Sequence, residues 1–148
     1  MPHAKLLPLL AALPMLAVAC RSNPAGDEVP FQRVYSGPLG VSHEAKNAVV
    51  RSEEEWRALW SAGGPGMVAP PLSIDWSNRM LIAVALGSRP SGGFAVTIER
   101  IALVGSRLSV HARESRPAPD SLQITMVTAP FDCVSVPKSD GRVVFTVE

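Results

Sequence analysis

MLIAVALGSRPSGGFAVTIERIALVGSRLSVHA, residues 80–112, decides the fold class. Met80 to Leu86 is almost wholly apolar, the pattern of a strand buried on both faces. A polar turn, Gly87 to Gly93, follows. Phe94, Val96 and Ile98 then alternate with Ala95, Thr97 and Glu99, as in a strand with one covered face. The parity changes at Arg100, because Ile101 and Leu103 occupy the other phase, so a bulge or a strand end is expected there. Gly105-Ser106 reads as a hairpin turn, and Leu108, Val110 and Ala112 alternate with Ser109, His111 and Arg113.

Working outward, Ile124 to Thr128 and Phe131 to Val136 read as two more strands, separated by Pro130, which cannot donate to a ladder. Asp140-Gly141 is a strong hairpin signal, and Arg142 to Val147 would close that hairpin. Upstream, Phe31 to Tyr35 reads as a first strand and Ala48 to Val50 as a short apolar piece. Between these lies one helix. Ser52 is an N-cap with Glu55 three residues on, the spacing of a capping box. Glu53, Glu54 and Glu55 suit the positive end of the helix dipole. Trp56, Leu59 and Trp60 form one apolar face, and Gly63-Gly64-Pro65 stops the helix. The expectation is a mainly β protein: one β-sandwich or partly open barrel of six to seven strands with one packed α-helix.

The first 19 residues have the three parts of an export leader: a basic start (His3, Lys5), an apolar run from Leu6 to Val18, and small residues before Cys20. The run is shorter than the roughly 20 residues of a membrane span. Leu16-Ala17-Val18-Ala19-Cys20 resembles a lipobox, with Ala17 where Leu is usual, and Ala17-Val18-Ala19 also suits ordinary signal peptidase. Both readings cut before Cys20. A cysteine at the cut implies lipidation, and more than one acyl chain makes anchoring stable. The expected division is a signal peptide over 1–19, a lipidated cysteine and flexible tether over 20–30, and a β-rich domain over 31–148. Arg21, rather than an acidic residue after the cysteine, implies delivery to the periplasmic face of the outer membrane in a two-membrane host.

Composition narrows the function classes. Removing Lys5 with the leader leaves 13 basic against 13 acidic residues. That balance, without a basic stripe or aromatic ladder, argues against nucleic acid as a partner. Cys20 and Cys133 are the only cysteines; an acylated Cys20 leaves Cys133 unpaired, read as a small buried hydrophobe. His43 and His111 are not spaced for metal, and no nucleophile elbow, phosphate loop or dinucleotide fingerprint occurs. The sequence therefore implies no enzyme, no cofactor and no metal site.

Gly87-Ser88-Arg89-Pro90-Ser91-Gly92-Gly93-Phe94 is the most unusual surface segment. It is either a connection whose glycines supply positive φ or a contact loop on a rigid β scaffold. In the second reading Ser88, Arg89, Pro90, Ser91, Gly92 and Gly93 bind a partner. Arg89 would stand at the tip, offering its fork of donors, and Phe94 would turn inward with Val96 and Ile98.

Several short motifs in order resemble the C-terminal domain of the PrcB family, a protease-complex subunit. They are Leu81-Ile82-Ala83-Val84-Ala85-Leu86-Gly87, then Arg89-Pro90-Ser91-Gly92-Gly93-Phe94, then Ala129-Pro130-Phe131 and Val134-Ser135-Val136-Pro137-Lys138. Glu55-Trp56-Arg57-Ala58-Leu59-Trp60 and Ile74-Asp75-Trp76 extend the resemblance upstream, to about residues 35–138. Phe94 stands where the family usually has Tyr. The resemblance implies a non-catalytic, protein-binding accessory subunit of a secreted protease complex. Two other classes compete. Ser91-Gly92-Gly93-Phe94 faintly resembles a loop of chagasin-like protease inhibitors, and Trp56, Trp60 and Trp76 could line a site for a sugar or peptidoglycan fragment.

Overall fold

The computed structural model describes residues 26–148, so the leader, Cys20 and residues 21–25 lie outside the described residues. Eight strands and one helix follow in the order β1 (Asp27–Glu28), β2 (Gln32–Gly37), β3 (Lys46–Val50), α1 (Glu53–Ser61), β4 (Arg79–Ala85), β5 (Ala95–Val104), β6 (Arg107–Ser115), β7 (Phe131–Pro137) and β8 (Val143–Val147). They form two four-stranded sheets. The outer sheet runs β1-β5-β6-β8 and the helix-side sheet runs β2-β7-β4-β3. The architecture is a β-sandwich with α1 laid on the far face of one sheet.

The apolar run of β4 has a direct cause in this layering. Met80, Ile82 and Val84 point between the sheets, where they meet Val96, Ile98, Ile101, Val110, Val134 and Val136. Leu81, Ala83 and Ala85 point the other way, to Trp56, Leu59, Trp60, Phe131 and Cys133 under α1. A strand with a core on each face has no solvated side on which to put a polar residue. The parity change in β5 is a bulge between Ile98 and Arg100, and Gly105-Ser106 closes the β5–β6 hairpin at Val104↔Arg107.

Ser52 caps α1 by accepting the Glu55 backbone N–H at 3.1 Å. The Glu55 carboxylate reaches back one residue further than a capping box requires, to the Arg51 N–H at 2.6 Å. The helix buries Trp56, Leu59 and Trp60, and Trp60 stacks edge-on with Tyr35, Trp56 and Phe131.

Four expectations change. The chain from Gly26 is not free tether: Asp27 and Glu28 pair with Leu103 and Ala102, and the Val29 N–H donates to the Ile101 carbonyl. That short strand, together with β3, raises the number above the six or seven expected. Asp140-Gly141 does not close a hairpin. Central β7 already has β2 and β4 on its two edges, so β8 crosses to the other sheet and pairs with β6 in parallel. There Val143 and Phe145 pack against the inter-sheet core. Finally, residues 124–128 are not a strand. The segment from Arg116 to Pro130 spans the end of the sandwich, from β6 in one sheet to β7 in the other. It forms no ladder with a neighbouring strand; its pairing is limited to isolated bridges at Thr128 and Ala129.

One polar group is fully buried between the sheets. Asp132 is 0% exposed. Its carboxylate accepts the Ile98 N–H at 2.6 Å, beside the bulge. It also accepts two donors of the Arg33 guanidinium, at 2.9 and 3.2 Å. Arg33 in turn donates to the Ile98 carbonyl at 2.8 Å. Ile98 still pairs with Ala112 at the edge of the bulge, and one side chain on the facing sheet supplies the partner that its buried N–H requires.

Candidate partner-binding surface

The strand directions give the sandwich two distinct ends. Gly26 enters beside Leu103 and Val104, at the end that also carries the Gly105-Ser106 turn and, through the Gly141 contact with Ser106, the 138–142 loop. The loops at 38–45, 86–94 and 116–130 all lie at the opposite end. This far end contains every residue of the candidate contact loop.

The 87–94 loop is held by the segment that crosses beneath it. Arg89 and Thr128 exchange two backbone bonds, at 2.7 and 3.0 Å. Gly92 N–H donates to the Ile124 carbonyl at 3.0 Å, and the Thr128 hydroxyl donates to the Ser91 carbonyl at 2.8 Å. Gly92 is buried because a Cβ there would sit 2.7 Å from Ile124 Cγ1. Gly93 has φ +81° and lies against Gln123 and Pro117. The glycine pair thus lets residues 117–124 pass close to the loop. On the other side, Ser88 N–H donates to the His43 carbonyl at 2.9 Å, and Ser88 Oγ lies 3.2 Å from His43 Nδ1.

Arg89 is not presented to solvent. Its guanidinium meets Glu114 at 3.1 and 3.3 Å and the Leu86 carbonyl at 2.8 Å, and lies over the Phe94 ring. Only 24% of its side chain is exposed. The fork of donors is filled from within, so Arg89 fastens the loop instead of offering an anchor. The hydrogen bond from Arg89 holds the Glu114 carboxyl below its ordinary range, and Arg116 adds to that effect. Phe94 is half-buried beneath this pair. Of the six candidate residues, Ser88, Pro90 and Gly93 are exposed, Ser91 and Arg89 are partly covered, and Gly92 is buried.

What the far end does expose is apolar. Leu122, Ile124, Met126 and Val127 stand out from the 116–130 segment, Val127 being 61% and Ile124 63% exposed, and Leu39 lies nearby at 55%. Exposed apolar patches are a feature that interaction sites share. Val127 and Leu39, with His43, Gly64, Pro65 and Met67, line an adjoining groove of 410 Å³ whose lining contains no Asp, Glu, Lys or Arg. Reading residues 124–128 as a strand concealed this surface. The visible signal was an alternating Leu122, Ile124, Met126 set bounded by Pro119 and Pro130, with no neighbouring stretch assigned to cover it.

The family comparison falls on this part of the molecule. A family model described as PrcB C-terminal matches residues 80–137. Over residues 80–137 the chain is similar to the PrcB C-terminal family. In structural terms the matched segment comprises β4, the β5–β6 hairpin, β7 and two of the three far-end loops, 86–94 and 116–130. It therefore holds the buried Asp132, the Arg89–Glu114 pair and the apolar strip together. The helix motif at Glu55–Trp60 and the Ile74-Asp75-Trp76 motif lie outside the matched PrcB segment. No curated protein and no solved structure matches the chain.

The remaining candidates resolve as structure. Trp56 and Trp60 are 1% and 5% exposed, and Trp56 donates its indole N–H to the Pro70 carbonyl. The two tryptophans are core, so they cannot line an open sugar site with Trp76. Cys133 is buried, and burial, with the Asp132 charge beside it, pushes its thiol pKa far up. Such a thiol is unreactive. His111 pairs with Ser109 on the partly solvated face of β6. Among the described residues, no group of three His, Cys, Asp or Glu could hold a metal ion, and no helix is long and apolar enough to cross a membrane.

Proposed function

We propose that this chain is a non-catalytic, exported lipoprotein that binds a protein partner as an accessory subunit of a secreted protease complex. The observation that carries the reading is the apolar strip at Leu122, Ile124, Met126 and Val127, fastened to the 88–93 loop within the PrcB C-terminal segment. Anchor geometry supports it. With a lipid on Cys20, the six-residue step to Gly26 spans at most about 20 Å. The ten residues of β5 separate the two ends by roughly 30 Å. The end that receives the tether stays near the bilayer, and the apolar end is carried toward proteins of the envelope. The contact residues in this reading are the exposed members of both loops, Ser88, Pro90 and Gly93 with the strip.

Photo-crosslinking in the envelope tests the proposal. A photoreactive residue at Met126 is expected to trap an exported protease, and one at Ser106, on the tether end, is not. Cys20→Ser is expected to move the protein from the membrane to the soluble envelope fraction. Crosslinks from Met126 to lipid alone would overturn the accessory-subunit reading.

A further inference from the structure

We propose that the free edge of β3, beside α1, takes up an extended peptide as a fifth strand of the helix-side sheet. The guest runs antiparallel to β3 and places a carboxylate, from an acidic residue or a chain end, beside Lys46. The proposal concerns a different margin from the far-end strip and does not depend on it.

The edge is built for addition. β3 ends the helix-side sheet, and its five residues pair with β4 without a register shift. Alternate residues therefore present a regular outward row of N–H and C=O groups. No backbone bond outside the ladder engages residues 46–50 among the described residues. Only another extended backbone supplies partners in that spacing. The opposite edge is less regular: β2 carries a register shift between Arg33 and Tyr35.

β3 also has a wall. A groove of 250 Å³ lies between the strand and α1, with Ala48, Ala58 and Leu59 on its apolar surface. The two alanines leave room for alternate side chains of a guest. Lys46 lies at one end of this groove and Glu55 at the other. Lys46 is exposed and takes part in none of the ion pairs of the described residues. Glu55 places a carboxylate at the other end, and Glu53 of the same helix turn is paired with Arg57. A carboxylate is favoured at Lys46 and a cation at Glu55. A guest with its basic end first and its acidic end last then runs antiparallel to β3.

Titration of the isotope-labelled full chain with acetyl-Lys-Val-Thr-Val-Ala-Asp, carboxyl terminus free, tests this by amide NMR. The expected shifts are confined to residues 46–50 and 55–59. N-methylation of one alternate set of peptide nitrogens abolishes binding, and methylation of the other set leaves it intact. Lys46→Glu weakens binding at least about tenfold, and replacing the terminal Asp by a Lys amide restores it. An unchanged spectrum away from β3 shows that the variant is folded. The proposal is overturned by any of three results: no shift in residues 46–50 up to about 1 mM peptide, equal tolerance of both methylation sets, or peptide-independent dimerisation through β3.

Discussion

The middle of the sandwich and its far end are inverted with respect to each other. Between the sheets, apolar side chains from β4, β5, β6 and β7 point inward, and the one fully buried carboxylate, Asp132, is closed off by Arg33 and the Ile98 N–H. At the far end the ionic pair, Arg89 with Glu114, lies largely inside. There it is the apolar side chains, Ile124, Met126 and Val127, that face out. The middle therefore spends its hydrophobic surface on folding, whereas the far end keeps its own available. A far-end change should be cheap for stability where it touches the strip and costly where it touches the fastening.

The largest expected effect breaks the middle. Trp60→Ala, beneath α1, removes a side chain that packs on Tyr35, Trp56 and Phe131 and should lower unfolding free energy by about 3–5 kcal/mol. That is a large share of the 5–15 kcal/mol typical of a domain, so denaturant unfolding should show an early transition or none. Next comes Asp132→Ala, which leaves the Ile98 N–H without its partner and Arg33 without its carboxylate. A loss of about 3 kcal/mol is expected, with faster hydrogen exchange at Ile98.

A smaller effect belongs to the fastening. As a free tip residue, Arg89 would be dispensable within about 0.5 kcal/mol. Bonded to Glu114 and the Leu86 carbonyl, it should cost about 2 kcal/mol as Arg89→Ala, read from the same denaturation curves. Acid sharpens the contrast. The Glu114 carboxyl is depressed in the folded protein chiefly by Arg89, so its contribution is fully present above the ordinary value of 4.5 and is lost as pH falls through the lowered folded value. Wild type should lose more stability than Arg89→Ala between pH 5 and 3, on the order of the one-group linkage expected for a shifted carboxyl. Parallel acid curves for the two proteins would refute the fastening role.

The smallest effect is expected on the strip. Ile124→Ser and Val127→Ser remove apolar groups that are mostly in water, so each should change stability by no more than about 0.5 kcal/mol. Their melting curves should overlay wild type, and the loss should appear only in partner capture. A marked drop in melting temperature would mean that the strip belongs to the core after all.

Local pattern alone made much of this protein legible. The doubly apolar β4, the bulge after Ile98, the Gly105-Ser106 hairpin, the Ser52 cap and the Trp56/Leu59/Trp60 face each follow from sterics or periodicity within a few residues, and each stands in the structure. The similarity to the PrcB C-terminal family over residues 80–137 is likewise carried by short ordered motifs. What the sequence could not decide depends on who the neighbours are. Asp140-Gly141 carries a hairpin signal, yet both edges of β7 are occupied, so β8 pairs in the other sheet. Residues 124–128 have the composition of a strand, but the end of the sandwich offers them no ladder, only bridges. Arg89 looks like an anchor until Glu114, 25 residues away, fills its fork. Periodicity encodes which face of a segment is apolar, but only tertiary structure decides whether that face is covered, because coverage is a property of the segment that arrives opposite it.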